Sequence, residues 1–215
     1  MRWGLIKVAV PAIAGVIVLA GCSAKEGGIA TAAPPAENPS DTSPTASSRT
    51  VPGGSGNAPK IENPLDASKY LTQPCAVLSP AQLQAFKITK PGTPHVDDPV
   101  AKQAGPYCGW RSDDAIPFGF DVGFLTGNKN GLSDTLEGGK KAFPGYFEPT
   151  EVEGYPAVFN DVADRRPTGA CNITVGISEN LAFRAQEQAN KSTGARSCDG
   201  AKQLAAAVIQ TLRSQ

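Results

Sequence analysis

The chain's only histidine, His95, lies in KPGTPHVDDPV just before Asp97 and Asp98. One imidazole and two carboxylates are ligands of the kind that hold a divalent metal, but no second histidine completes the set. A solvated loop between prolines is therefore the expected reading, and no metal is expected. His95 would also have to be the base of any Ser-His-Asp triad, and a loop is a poor support for one. Gly176-Ile177-Ser178-Glu179-Asn180 fails the G-x-S-x-G elbow at its last position, and the Ser-x-x-Lys, P-loop and G-x-G-x-x-G patterns are missing. Asp113-Asp114 and Glu151 with Glu153 are carboxylate pairs of the sort acid–base catalysis uses, yet scattered surface acids are their ordinary origin. Asn172-Ile173-Thr174 and Asn190-Lys191-Ser192 match a glycosylation sequon and receive no functional weight. No catalytic residue and no cofactor are expected.

Thiol chemistry is the richer lead, with five cysteines in 215 residues. The first, Cys22, ends an N-terminal segment that carries Arg2 and Lys7, then an apolar run from Val8 to Ala20, then Leu19-Ala20-Gly21-Cys22. The run is too short for a spanning helix, which needs about 20 apolar residues, and Pro11 interrupts it, so residues 1–21 read as a cleaved export signal. The quartet Leu19, Ala20, Gly21, Cys22 resembles the lipobox of bacterial lipoproteins. That resemblance implies a diacylglyceryl group on the Cys22 thiol and cleavage just before it, leaving Cys22 as the first residue. Two or more acyl chains of the palmitate kind hold a protein stably, since each buried methylene contributes about 0.8 kcal/mol. The expected location is the extracytoplasmic face of the cell membrane.

Removing residues 1–21 takes away two bases and no acid, leaving 18 basic against 20 acidic residues, a net charge of −2. This is no footprint for nucleic acid. Residues 22–64 are expected to form a disordered tether: in 23–64, Pro, Ser, Thr, Gly and Ala fill 29 of 42 positions, too little apolar surface to offset ordering. The remainder, residues 65–215, is one domain of ordinary size.

That domain holds Cys75, Cys108, Cys171 and Cys198, an even number suited to two disulfides in an exported chain. No C-x-x-C occurs, which argues against zinc. Cys75 precedes LSPAQLQAF, where Ser79, Pro80 and Gln82 make a capping box with proline at the first helical position. Cys198 precedes a helix expected from about Asp199, with Ala201, Leu204, Ala205, Val208 and Leu212 on one face. Cys108 and Cys171 each open a strand-like segment. The preferred pairing joins Cys75 to Cys108 and Cys171 to Cys198, each fastening a helix to a strand; the nested alternative, Cys75 with Cys198 and Cys108 with Cys171, stays open.

Strict alternation places Ile116, Phe118, Phe120, Val122 and Phe124 on one face of a strand, with Pro117, Gly119, Asp121 and Gly123 opposite. The two glycines suit an edge or bulge, or the close approach of a ligand. Cys171, Ile173, Val175 and Ile177, a turn at 178–180, then Leu181, Phe183 and Ala185 read as a hairpin. Tyr155 to Phe159 suits a short strand that Pro156 pushes towards an edge. GLSDTLEGGKKAF suits a short helix weakened by Gly138 and Gly139. The expected class is α+β: an antiparallel sheet packed with a few helices and braced by two disulfides. Trp110 and the Phe118, Phe120 and Phe124 face are candidates for ligand contact, although core packing is the commoner role.

Pro74-Cys75-Ala76-Val77-Leu78-Ser79, Cys108-Gly109-Trp110, Gly154-Tyr155-Pro156-Ala157-Val158, Cys171 with its strand, and Cys198-Asp199 heading the last helix together resemble the actinobacterial lipoproteins catalogued as domain of unknown function 3558. The resemblance spans about residues 70 to 212 and implies a lipid-anchored envelope protein; it brings no activity to carry over. The expected function is thus non-enzymatic: a binding or accessory module for a protein partner or envelope component, held to the membrane through Cys22. Two others stand behind it, a carrier with an apolar cavity for a lipid or glycolipid, and an enzyme whose cleft would gather His95 with acids from distant segments.

Overall fold

The computed structural model describes residues 58–112, 118–188 and 196–215. The expected signal and lipobox with Cys22, the tether as far as residue 57, Asp113-Asp114, Ile116, Pro117 and the Asn190 sequon lie outside the described residues.

Alternating apolar residues build one seven-stranded sheet, every neighbouring pair antiparallel. Its strands are β1 Thr93–His95, β2 Tyr107–Arg111, β3 Gly119–Phe124, β4 Tyr146–Val152, β5 Tyr155–Asp161, β6 Cys171–Ser178 and β7 Leu181–Gln188. They lie side by side in the order β1-β2-β3-β7-β6-β5-β4. Five α-helices accompany them among the described residues: α1 Ser68–Thr72, α2 Pro80–Ala85, α3 Pro99–Ala104, α4 Leu132–Ala142 and α5 Ser197–Arg213. The class is α+β, as the alternation required.

Local chemistry explains where the helices start. At α2 the Ser79 hydroxyl accepts from the Gln82 N–H while the Gln82 carboxamide accepts from the Ser79 N–H, with Pro80 in the first turn. Gln82 also donates to the Ala207 carbonyl at 2.9 Å, tying α2 to α5. Helix α5 begins at Ser197, so Cys198 lies inside its first turn. Its face of Ala201, Leu204, Ala205, Val208 and Leu212 is buried against β6 and β7, and each large aliphatic there contributes about 1.5–3 kcal/mol. In α4 the glycine pair marks a kink, with Gly139 at φ 47°, and Leu132 packs on Val158 and Ala182.

Both disulfides are present: Cys75 with Cys108, closing 33 residues, and Cys171 with Cys198, closing 27. The first pins the 3-10 turn Pro74–Val77 to β2, the second pins α5 to β6. Chain entropy assigns about 3.5 kcal/mol to each loop.

Three sequence expectations meet a different outcome. Strand β5 lies inside the sheet, between β4 and β6; its ladder to β6 begins at Ala157, so the N–H that Pro156 lacks is not required there. The true edge, β4, carries Pro149 and two glutamates, residues that discourage further pairing. The segment around His95 is not a bare loop: Thr93–His95 pairs with Tyr107–Gly109, and Asp98 caps α3 through the Ala101 N–H at 2.8 Å. The folded unit also takes in residues before 65. Ile61 is buried in the core, and the Asn63 carbonyl accepts from the Tyr155 hydroxyl at 2.8 Å.

Candidate functional site

The period of two gives the sheet two unlike faces. One carries Cys108, Trp110, Phe120, Val122, Phe124, Phe183, Ala185, Ile173, Val175 and Ile177, all buried beneath α1, α2 and α5 in one apolar cluster. The candidate ligand residues Trp110, Phe120 and Phe124 are therefore core, and Phe118, half-buried, meets Phe120 edge-on at 6.0 Å. None of the four lines either of the cavities on the other face. Trp110 stands beside its neighbouring disulfide: a side chain at Gly92 would strike both the Cys108 Sγ and the indole.

The opposite face is different. Helix α4 covers it only around Val158 and Ala182, and α3 flanks it at the β2 edge. Between them runs a groove floored by polar side chains, seen as two adjoining cavities of about 370 and 380 Å³ that share Arg184, Gln186 and Gln188. The first reaches His95, Tyr107, Arg111, Asp121 and Gly123; the second reaches Asn160, Asp161, Arg165, Asn172 and Phe143. From β2 to β5 the floor crosses four strand spacings, about 19 Å.

Register sets the order of groups. Asp121, Gln186 and Asn172 stand in one row across β3, β7 and β6; Gly123, Arg184 and Thr174 form the next. The β3 glycines thus lie in the sheet interior rather than at an edge, and Gly123 leaves the space beside Arg184 open. Gly109 has a similar role, because a Cβ there would come within 2.7 Å of the Asp121 carboxylate.

Most of the charges are paired. Arg111 donates to Asp121 at 3.0 Å and to the Trp110 carbonyl at 2.8 Å. Burial pushes the Asp121 carboxyl above its ordinary value, against the pull of Arg111 and Arg184. Asp161 accepts from Arg165 and from the Asn172 amide, each at 2.8 Å. The Thr174 hydroxyl donates to Asn160 at 2.9 Å. At the groove's end His95 Nδ1 is 2.6 Å from Asp98, and its ring stacks on Tyr107 with centroids 4.2 Å apart. The Ala101 N–H, and after it His95, hold Asp98 below the usual carboxylate range, while burial raises the Tyr107 phenol.

Three side chains stand apart. Arg184 is exposed, and neither it nor Gln186 has a hydrogen bond or ion pair at its side chain among the described residues; Gln186 is nevertheless 7% exposed. The Asn172 carboxamide spends its N–H on Asp161, which fixes its orientation and leaves Oδ1 buried without a partner, in a residue 4% exposed. Two of the three exposed large aliphatics, Val100 and Val162, sit at opposite ends of the same groove.

No serine or cysteine lines either cavity, and no cluster of three or more His, Cys, Asp or Glu suited to a metal occurs among the described residues. No helix among the described residues is long and apolar enough to cross a membrane. The other acid pair, Glu151 and Glu153, lies at the β4–β5 turn away from the groove, with Glu153 meeting Arg213.

Fold and groove together define a disulfide-braced α+β domain with one helix-covered apolar face and one partly covered face that carries a polar-floored groove. The chain belongs to the family described as protein of unknown function (DUF3558), whose model matches residues 17–211. No curated protein and no solved structure matches it.

Proposed function

We propose that the protein is a lipid-anchored envelope lipoprotein, held through Cys22, whose domain recognises an envelope component in the polar groove. The anchor rests on the lipobox Leu19-Ala20-Gly21-Cys22 behind its charged and apolar segments. The single observation that carries the binding reading is the groove floor. A buried amide oxygen without a partner is costly, about 1–3 kcal/mol; Asn172 Oδ1 is one, and the Gln186 carboxamide, which has no hydrogen bond among the described residues, lies beside it across β7 and β6. A ligand that supplies their missing hydrogen bonds removes that cost.

Co-sedimentation of the full chain with isolated cell envelopes tests this reading. Gln188→Trp, which fills the groove from a half-buried position shared by both cavities, should reduce the bound fraction at least tenfold while the melting temperature holds. Undiminished sedimentation of that variant would remove the groove from the function. A mass lacking diacylglyceryl on Cys22 would remove the anchor.

One observation favours a second reading. The first cavity gathers His95 with Asp121, an acid from a distant segment whose carboxyl is pushed up by burial. A general acid poised that way suits bond cleavage in a bound ligand. Turnover lost in both His95→Asn and Asp121→Asn would support it, and a ligand recovered intact would dismiss it.

A further inference from the structure

The groove's chemistry is more specific than its polarity, and the following rests on the binding reading above. Its floor is made of side chains alone, because the backbone N–H and C=O groups beneath it are committed to the strand ladder. A peptide backbone lying along the β3, β7 and β6 floor would therefore find no free strand to pair with. The groups without a hydrogen bond among the described residues instead comprise a buried acceptor at Asn172 Oδ1 and the donor-acceptor amides of Gln186 and Gln188. Hydroxyl groups both donate and accept, so a polyol satisfies all three at once.

Charge adds the second element. Arg111 and Arg165 are neutralised by Asp121 and Asp161, which leaves Arg184 as the cation in the shared middle of the groove without an ion-pair partner among the described residues. Its partner across β3 is Gly123, which has no side chain to cover the guanidinium. Val100 and Val162 at the two ends offer aliphatic contact of the sort sugar ring carbons accept. The groove is open and about 19 Å across its floor, a length suited to an oligomer rather than to a single small molecule.

We infer that the groove binds an acidic oligosaccharide, whose hydroxyls pair with Gln186 and Asn172 while a carboxylate is taken by Arg184. The guanidinium presents two parallel N–H donors to a carboxylate, a stronger and more directional contact than a neutral hydrogen bond.

Calorimetric titration of the full chain in detergent decides it, with three acidic probes: tetramers of galacturonate, of mannuronate and of hyaluronan. Each is paired with its carboxyl-reduced counterpart, which keeps the hydroxyls and loses the charge. At least one acidic probe should bind about tenfold or more tightly than its reduced form, the scale of a hydrogen bond to a charged group. Arg184→Gln should abolish that preference and leave the reduced form's affinity unchanged. Gln186→Leu should weaken both forms by a similar factor. Equal binding of acidic and reduced probes, or a preference that persists in Arg184→Gln, overturns the inference. So does failure of all three probes; if groove-dependent sedimentation with envelopes survives that failure, the binding reading stands and only the ligand class falls.

Discussion

Replacing the Cys171–Cys198 bridge by a pair of alanines asks how far covalent closure, beyond packing, holds α5 on the sheet. The bridge closes 27 residues, for which chain entropy gives about 3.5 kcal/mol. Cys171 is fully buried, so losing its sulfur adds a small cavity contribution on the order of 1 kcal/mol. For a folded unit of this size each kcal/mol moves the melting temperature by about 2–4 °C, so the entropic part alone should lower it by roughly 7–14 °C. The same reasoning fixes a second value. The Cys75–Cys108 loop spans 33 residues, a difference that changes the entropy by only ~0.2 kcal/mol. The two double-alanine variants should therefore fall nearly equally, although one bridge fastens a 17-residue helix and the other a four-residue turn. Urea denaturation followed by circular dichroism without reductant measures both. The dependence on urea should steepen, because a chain freed of a crosslink exposes more surface when unfolded. A loss below about 1 kcal/mol in either variant, or a gap between them above about 2 kcal/mol, would refute the loop-closure argument.

Two further measurements bear on local chemistry. Asp121 has its carboxyl raised chiefly by burial; the protonated form is thus the one the fold prefers, and the associated stability is present below the unfolded value of 3.8 and lost as pH rises through the folded one. Asp121→Asn, which mimics the protonated form, should melt higher than the parent at pH 7 and lose that advantage towards pH 3; a lower melting temperature at pH 7 would show that the Arg111 pair outweighs desolvation. At α2, Ser79→Ala should cost about 1 kcal/mol, whereas Gln82→Ala should cost more, because it removes both the cap and the bond to the Ala207 carbonyl; equal losses in urea titration would mean that the link to α5 contributes nothing.

What could be read from the residues was what depends on neighbours in sequence. Ser79, Pro80 and Gln82 specify a helix start within four positions, and the structure places the capping box there. The β6–β7 hairpin follows from alternation on both sides of a short turn. Cysteine pairing was legible as a preference, because each bridge joins a helical segment to a strand close in sequence. Elements that need a distant partner were not. Strand β1 has three residues, and β4 carries Pro149; each exists because β2 or β5 offers it a ladder. Asp98-Pro99 was a start signal for α3 that the histidine beside it obscured. The groove was missed for a different reason. Strand β6 was read through Cys171, Ile173, Val175 and Ile177, and β7 through Leu181, Phe183 and Ala185, although the intervening Asn172, Thr174, Arg184 and Gln186 keep the same period. A polar residue at alternate positions ordinarily means solvent, and only the tertiary position of α3 and of Phe143, just past α4, makes this side a partly enclosed floor.

That enclosure separates the groove from an ordinary solvent face. Polar side chains lying in open water cost nothing, and apolar side chains under a helix stabilise; Gln186 and Asn172 are both buried residues, and Asn172 Oδ1 has neither benefit. The fold does not require them, since the opposite side of the same strands shows what packing alone selects: Ile173, Val175, Phe183 and Ala185 beneath α5. Fully buried aliphatics of that helix and two loop closures supply the stability that lets the other face stay polar. Local destabilisation tolerated in this way is common where a surface must bind. The same division explains the distribution of glycine. Gly109 and Gly123 lie on the groove side of β2 and β3, where the first leaves room for Asp121 and the second leaves Arg184 uncovered, so the backbone itself is shaped around the polar row.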